Sequence, residues 1–225
     1  MMAAYDLEEQ EQLDEIKTWW KQYGNLVTGL LVAAAVLAVG WQGWNWYQRN
    51  EAAQASTVYA ALQQAAAQND AARMKTLAGE LIDKHPGSAY APMGVLMSAR
   101  AQVAVGDLKT ARAQLTWAVD KSSDDGLRDL ARLRLAIIMI DEKAYDDAAK
   151  QLAKEPTAGF AARFNEVRGD LLSIQGKVAE ARAAYESAIK LADARVSQQP
   201  AEAGGAGKAY RDMLAAKLEP LGGAK

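Results

Sequence analysis

The sequence predicts an all-α protein in which a single N-terminal transmembrane helix is followed by a solenoid of helical hairpins. No charged residue lies between Lys21 and Arg49, and the centre of this stretch, residues 26–39, is almost purely Leu, Val, Ala and Gly. The rest of the chain is rich in alanine, poor in proline and has few runs of β-branched residues, a composition that favours helices. Three of its segments also share one helix–turn–helix pattern.

The charge-free stretch has the length and the flanks of a membrane span. About 20 apolar residues at about 1.5 Å each cross a hydrocarbon core of about 30 Å. Indole and phenol rings favour the headgroup level on either side of that core. Such rings stand at both ends of the stretch: Trp19, Trp20, Tyr23, Trp41, Trp44, Trp46 and Tyr47. We therefore predict a transmembrane helix over residues 23–47.

Two other interpretations of this stretch fit the sequence less well. A buried core helix of a soluble protein rarely runs this far without a charge. A cleaved signal peptide opens with a short basic segment, whereas residues 1–22 are long and contain many acidic side chains. The Trp-rich exit also lacks a small-residue cleavage pattern. We predict that the helix is retained as an anchor.

Basic residues near the span predict its orientation. Lys17 and Lys21 precede the helix, only Arg49 follows it closely, and the next basic residue is Arg73. Because Lys and Arg favour the cytoplasmic side, residues 1–22 are predicted to be cytoplasmic. The C-terminal domain then lies across the membrane, which in a cell with two membranes is the periplasm. The absence of cysteine fits either compartment.

Small residues recur within the span at helical spacing. Gly29 with Ala33, and Ala34 with Ala38, form small-x-x-x-small pairs. Such pairs allow a second membrane helix to approach closely. The same spacing also arises by chance in alanine-rich spans.

The three similar segments are Val95–Asp120, Arg132–Pro156 and Asn165–Asp193. Each has an apolar helix, a tight turn and a second amphipathic helix that contains a marker alanine (Ala111, Ala148 and Ala181). The distances between these alanines bracket the period of about 34 residues that defines a tetratricopeptide repeat. We therefore predict a tetratricopeptide-like solenoid over residues 89–195.

The third segment follows the repeat pattern most closely. Gly169 stands where paired helices must approach each other, Gly176 permits the turn, and Tyr185 is predicted to fill the core between the helices. The second segment departs from the pattern, because Lys143 occupies the position of the turn glycine.

The segments on either side of the repeats are also predicted to be helical. Residues 48–88 form a helical stalk or a first helix pair, with a break at Asn69-Asp70 and a stop at His85-Pro86. Residues 196–225 contain a flexible Ala/Gly-rich link followed by a short helix, Tyr210 to Leu218. That helix would cap the open end of the stack.

The sequence offers no catalytic constellation. Without cysteine there is no thiol nucleophile or thiolate metal site, and the single histidine, His85, lies in a predicted turn and is interpreted as a solvated side chain. No glycine-rich phosphate loop occurs, and the chain carries no basic block of the kind that binds nucleic acid. We predict neither an enzyme nor a cofactor nor a metal.

What remains is a binding surface on the first helix of each repeat. In the repeat register, the groove positions are Met93, Leu96, Arg100, Val103, Leu130, Leu133, Ile137, Ile140, Arg163, Glu166, Asp170 and Ser173. The middle helix, LRLAIIMI, is apolar on nearly every face. Two explanations are open: a partner covers its second face, or the N-terminal pair or the final helix packs there.

The whole arrangement resembles the YfgM-like family of ancillary subunits of the SecYEG translocon. The likeness covers essentially the full chain and is carried by the acidic head with its aromatic helix entrance (Tyr5–Asn25), the WQGWNWYQRN exit (residues 41–50), the KHPGSAYA turn (residues 84–91) and GDLKTARAQLTWA (residues 106–118). It implies a single-pass inner-membrane protein with a periplasmic tetratricopeptide domain beside the secretion channel. Implied partners are SecYEG, the periplasmic chaperone PpiD and exported polypeptides, which it would help to cross or to fold.

The anchor and the repeats also fit other functions. A general cell-envelope scaffold that binds periplasmic assembly factors would have the same anchor and the same repeats, and only its partners would distinguish it. A hydrolase or transferase would require a pocket with paired titratable groups, and the sequence offers none.

Overall fold

The computed structural model describes the backbone of residues 3–198 and 200–222, and the side chains of residues 17–197 and 205–222. This part of the chain is helical, as predicted. The α-helices are α1 (Ala3–Ala67), α2 (Ala71–Lys84), α3 (Tyr90–Ala104), α4 (Leu108–Lys121), α5 (Asp125–Asp141), α6 (Tyr145–Ala153), α7 (Ala161–Ile174), α8 (Val178–Gln198) and α9 (Pro200–Leu218). A 3₁₀ turn, Glu219–Leu221, follows α9. The chain divides into two units, residues 1–51 and residues 52–225.

The first unit carries the predicted span. In the described part of the chain, α1 is the one helix that is long and apolar enough to cross a membrane. Its apolar side chains are exposed, with Leu37 at 74% and Trp41 at 69% of their accessible surface. A core helix of a soluble protein would bury these side chains, so the exposure supports the membrane interpretation. The aromatic side chains also contact one another, and the rings of Trp19 and Tyr23 are 5.8 Å apart.

The second unit is a series of helical hairpins whose turns share one backbone device. At each hairpin turn one residue adopts the left-handed conformation: Asn69, Gly106, Lys143 and Gly176. The next residue caps the following helix in two cases, since the Asp70 carboxylate accepts from Arg73 N–H and that of Asp107 from Thr110 N–H. Lys143 therefore adopts at φ 60° the turn conformation for which the pattern calls for glycine.

The three marker alanines lie where two helices meet. Ala111, Ala148 and Ala181 are fully buried. In the third hairpin a Cβ on Gly169 would lie 2.7 Å from the Tyr185 ring, so that only glycine leaves space for this tyrosine. The close approach predicted for α7 and α8 is confirmed.

Within the second unit, the end of α1 pairs with α2. Leu62 of α1 and Leu81 of α2 are both fully buried, and both flank Gly94 of α3, on which a Cβ would lie 2.4 Å from the Leu81 Cδ1 atom. Residues 52–84 therefore form a hairpin that packs on the first repeat, with the predicted break at Asn69-Asp70 in place.

The interpretation of His85 as a solvated side chain is wrong, because only 5% of its surface is exposed. His85 ends α2 by donating its N–H to the Leu81 carbonyl, and its own carbonyl accepts from Ser88 N–H. This tight turn folds the chain back on itself and keeps His85 inside the domain.

The C-terminal helix begins earlier than the sequence analysis predicts. α9 starts at Pro200, in the segment interpreted as a flexible link. Proline suits the first position of a helix, because an N–H at that position would have no partner within the helix and because the φ of proline is already helical. Further along α9, Leu214 is fully buried in a small core with Tyr185, Ala188 and Ala192 of α8.

Candidate protein-binding surface

The first helices of the three repeats, α3, α5 and α7, are neighbours in the structure, since α5 contacts both others. The twelve predicted groove residues lie on these helices but differ in accessibility. Met93, Arg100, Val103, Ile137 and Arg163 are exposed; Leu130, Ile140, Asp170 and Ser173 are partly buried; Leu96, Leu133 and Glu166 are buried.

The apolar middle helix is mostly covered by its own chain. Leu135, Ala136, Ile138 and Met139 of α5 belong to the main core, and α5 contacts α3, α4, α6 and α7. Its own hairpin partner α6 and the neighbouring repeats, rather than the N-terminal pair or the final helix, therefore cover most of its apolar surface. Ile137 is the residue of this run that keeps 43% of its surface exposed.

α9 contacts three of the four groove positions of the third repeat, Arg163, Glu166 and Asp170. The Lys217 ammonium donates to Glu166 Oε1 at 2.9 Å and to both Asp170 oxygens at 2.8 Å. The Arg163 guanidinium lies 4.1 Å from the centre of the Tyr210 ring, a cation–π contact. We call Glu166 and Asp170 the covered face; Arg163 borders it and keeps 52% of its side chain exposed.

The electrostatics of the covered face follow from these contacts. Burial alone would raise the pKa of Glu166, but the hydrogen bond and charge of Lys217 and the charge of Arg163 outweigh it and lower that pKa. Burial likewise opposes the charge of Lys217, and the two carboxylates nevertheless raise its pKa. Each charge is thus held in its ionised form by its partners.

Several groove positions on α3 and α5 remain accessible, although Leu96 and Leu133, which correspond to Glu166, are buried. Met93, Val103 and Ile137 are 39%, 43% and 43% exposed. Arg100 is exposed beside them, and the half-buried Arg134 of α5 reaches α3, where its Nη1 donates to the Leu96 carbonyl at 2.9 Å. We call Met93, Arg100, Val103, Arg134 and Ile137 the open face.

Three residues of this surface were missed by the sequence analysis. Arg134 lies three positions before Ile137, on the same side of α5, and this spacing could have indicated it. Tyr210 and Lys217 are seven positions apart, two turns on one side of α9. Nothing in the sequence links that side to α7.

Among the described residues, no other helix packs against the predicted packing residues of the span. Ala33, Ala34 and Ala38 are exposed, and a Cβ on Gly29 would meet no atom within 4 Å. Their role in contact with a second membrane helix stays a prediction.

Comparison with known proteins places the chain in a family. A family model described as a tetratricopeptide repeat-like domain matches residues 17–223. A protein of Neisseria gonorrhoeae named ancillary SecYEG translocon subunit is 31% identical over 98% of this chain and 100% of its own length.

Proteins of the same name from two other bacteria are also similar. The Haemophilus influenzae protein is 26% identical over 82% of this chain and 90% of its own length. The Escherichia coli protein is 28% identical over 84% of this chain and 90% of its own length. No solved structure matches the chain.

Proposed function

The chain belongs to the family of ancillary SecYEG translocon subunits with a tetratricopeptide repeat-like domain, and we propose that it acts as a membrane-anchored periplasmic binding protein at this channel. It is held in the inner membrane by α1, with residues 1–22 in the cytoplasm and the repeats in the periplasm. It assists the export or early folding of secreted proteins by binding polypeptides rather than by catalysis.

One observation carries the binding role. The covered face is filled by α9, whereas the open face exposes three large apolar side chains on two adjacent helices. Accessible apolar surface of this kind on a repeat domain is typical of a site for another polypeptide. Export supplies unfolded chains with apolar segments directly at the channel.

The chaperone PpiD is the proposed partner within the envelope. It is implied by the resemblance described above, together with SecYEG itself. Contact with either is expected to involve α1 in the membrane, where the small residues Gly29 and Ala33 leave space for a second helix, as well as the repeats outside it.

Copurification tests the assignment to the translocon. The tagged full-length chain, extracted in a mild detergent, is expected to bring SecY, SecE and SecG with it. A photo-crosslinking residue at Ile137 is expected to capture exported chains, whereas the same residue at Val105, which is 62% exposed in a hairpin turn, serves as a matched control. Recovery of envelope assembly factors without any channel subunit would contradict the proposal and favour the general scaffold.

A further inference from the structure

The open face carries two positive charges that no carboxylate of the described residues neutralises. Neither Arg100 nor Arg134 forms an ion pair with another described residue, whereas other repeat arginines do, such as Arg112 with Glu142 at 2.6 Å and Arg132 with Asp129 at 3.1 Å. Arg134 instead donates to a neutral carbonyl, that of Leu96. Burial and the charge of Arg100 together lower the pKa of Arg134.

The two arginines are close to each other in the fold. The Leu96 carbonyl that accepts from Arg134 lies one helical turn before Arg100. Two cations are thus held together on adjacent helices. A negatively charged group placed there would gain two charge-assisted hydrogen bonds and relieve the repulsion.

Apolar side chains border this cationic pair. Along α3, Arg100 lies between Met93 and Val103, about 10 Å from the first and about 5 Å from the second along the helix axis. On α5, Ile137 lies one turn beyond Arg134. The row from Met93 to Val103 spans about 15 Å, the length of about five residues of extended chain.

We propose that the open face binds an extended polypeptide segment in which an acidic side chain is flanked by large apolar ones. The carboxylate bonds to Arg100 and Arg134, and the apolar neighbours pack on Met93, Val103 and Ile137. This inference rests on the proposed function, because the bound segment is expected to belong to an exported polypeptide. Both the charge and the apolar rows match this occupant, whereas an anionic lipid surface would require a broader basic rim.

A charge-swap experiment tests the proposal. The full-length chain in phosphatidylcholine nanodiscs is titrated against a short fluorescent peptide with one aspartate between leucines, and binding is followed by anisotropy. Arg100→Glu is chosen because Arg100 is exposed and donates no hydrogen bond to a described residue. We expect it to weaken binding by about tenfold or more. Arg73→Glu, on the exposed surface of α2, is the matched control and should leave affinity unchanged.

The reciprocal change separates a charge contact from a loss of structure. A peptide with lysine in place of the aspartate should bind R100E better than it binds the unmodified chain. The proposal is overturned if the aspartate peptide and its asparagine analogue bind alike, or if R100E and R73E reduce affinity equally. Displacement of the peptide by phosphatidylglycerol vesicles, but not by excess unlabelled peptide, would assign the face to lipid instead.

The peptide titration and the copurification fail independently. If SecYEG copurifies while R100E leaves peptide binding intact, the acidic-segment proposal is wrong and the translocon assignment stands. If charge-dependent peptide binding is observed without any channel subunit, the open face is correctly assigned and the location at the translocon is wrong.

Discussion

Single side chains determine how closely the helices of each repeat approach. The third hairpin is the clearest case, because Gly169 lets α7 lie against the ring of Tyr185, which is 3% exposed. The Tyr185 hydroxyl then donates to Asp170 at 2.7 Å, and Asp170 also accepts from Lys217. Because Gly169 has no side chain, Tyr185 can pack against α7 and hold Asp170, a residue of the covered face.

We predict that Gly169→Ala destabilises the domain by about 1–3 kcal/mol, the usual cost of inserting a methyl group into a packed core. The added Cβ would lie 2.7 Å from the Tyr185 ring, which is buried and hydrogen-bonded through its hydroxyl to Asp170. Urea denaturation of the full chain in detergent, followed by circular dichroism, measures this loss.

Gly79→Ala is the matched control for that prediction. Gly79 is also a helical glycine, but a Cβ there meets nothing within 4 Å. Alanine at this position should stabilise α2 by about 0.5–1 kcal/mol, because glycine loses more backbone entropy on folding. Equal effects of the two substitutions would contradict the packing argument.

Among the elements, α9 decides how much of the repeat surface is available. It packs on α8 through Leu214, contacts α7 through Lys217 and Tyr210, and forms an ion pair with α8 in which Arg211 lies 2.9 Å from Asp193. Lys217 binds Glu166, a buried carboxylate, as well as Asp170. A buried ion pair is costly when one partner is removed or neutralised, so the attachment of α9 depends on these charges.

We predict that acid loosens α9. The folded pKa of Glu166 is lowered, so its contribution to stability is complete above the unfolded value of about 4.3 and is lost as the pH falls through the lower, folded value. Between neutral pH and about pH 5 no change is expected. Hydrogen–deuterium exchange, corrected for intrinsic rates, should show reduced protection in residues 205–222 below about pH 4.

Lys217→Met supplies the control for the acid experiment. This variant removes the cation but keeps much of the aliphatic stem, so that α9 should be less protected already at neutral pH and should change less in acid. Full protection of α9 in K217M, or an unchanged α9 in the unmodified chain at pH 3, would show that apolar packing alone holds the helix.

At the scale of the whole molecule, the two units differ in the solvent they require. The span of the first unit exposes apolar side chains throughout, whereas the second unit buries its apolar residues between hairpins. Lipid is the medium that matches the first unit and water the medium that matches the second. The chain is therefore expected to remain in the membrane fraction.

Single cysteines test the orientation, and the chain offers a clean background because it contains none. We predict that Ser123→Cys, at an exposed position before α5, reacts in intact spheroplasts with a membrane-impermeant maleimide. Gln10→Cys, on the other side of the span, should react only after the membrane is disrupted. The opposite labelling pattern would place the repeats in the cytoplasm.

Patterns that are local in the sequence were sufficient for the fold class, the span and the hairpins. The charge-free length and the aromatic flanks lie in one continuous stretch, and the repeat pattern needs only segments of about 34 residues. The marker alanines and Gly169 lie at the predicted contacts. The turn at Lys143 also keeps the left-handed conformation, although the residue there is not the glycine of the repeat pattern.

Only the tertiary structure decided which groove positions are accessible. Glu166 and Asp170 were predicted to line a groove, yet both bind Lys217, which lies far along the chain on α9. Arg134 of α5 reaches α3, where it lies near Arg100. His85 is buried although it lies in a turn. Sequence periodicity predicts which side of a helix a residue occupies. Its burial and its charge partners depend on which distant segments of the chain pack against that side.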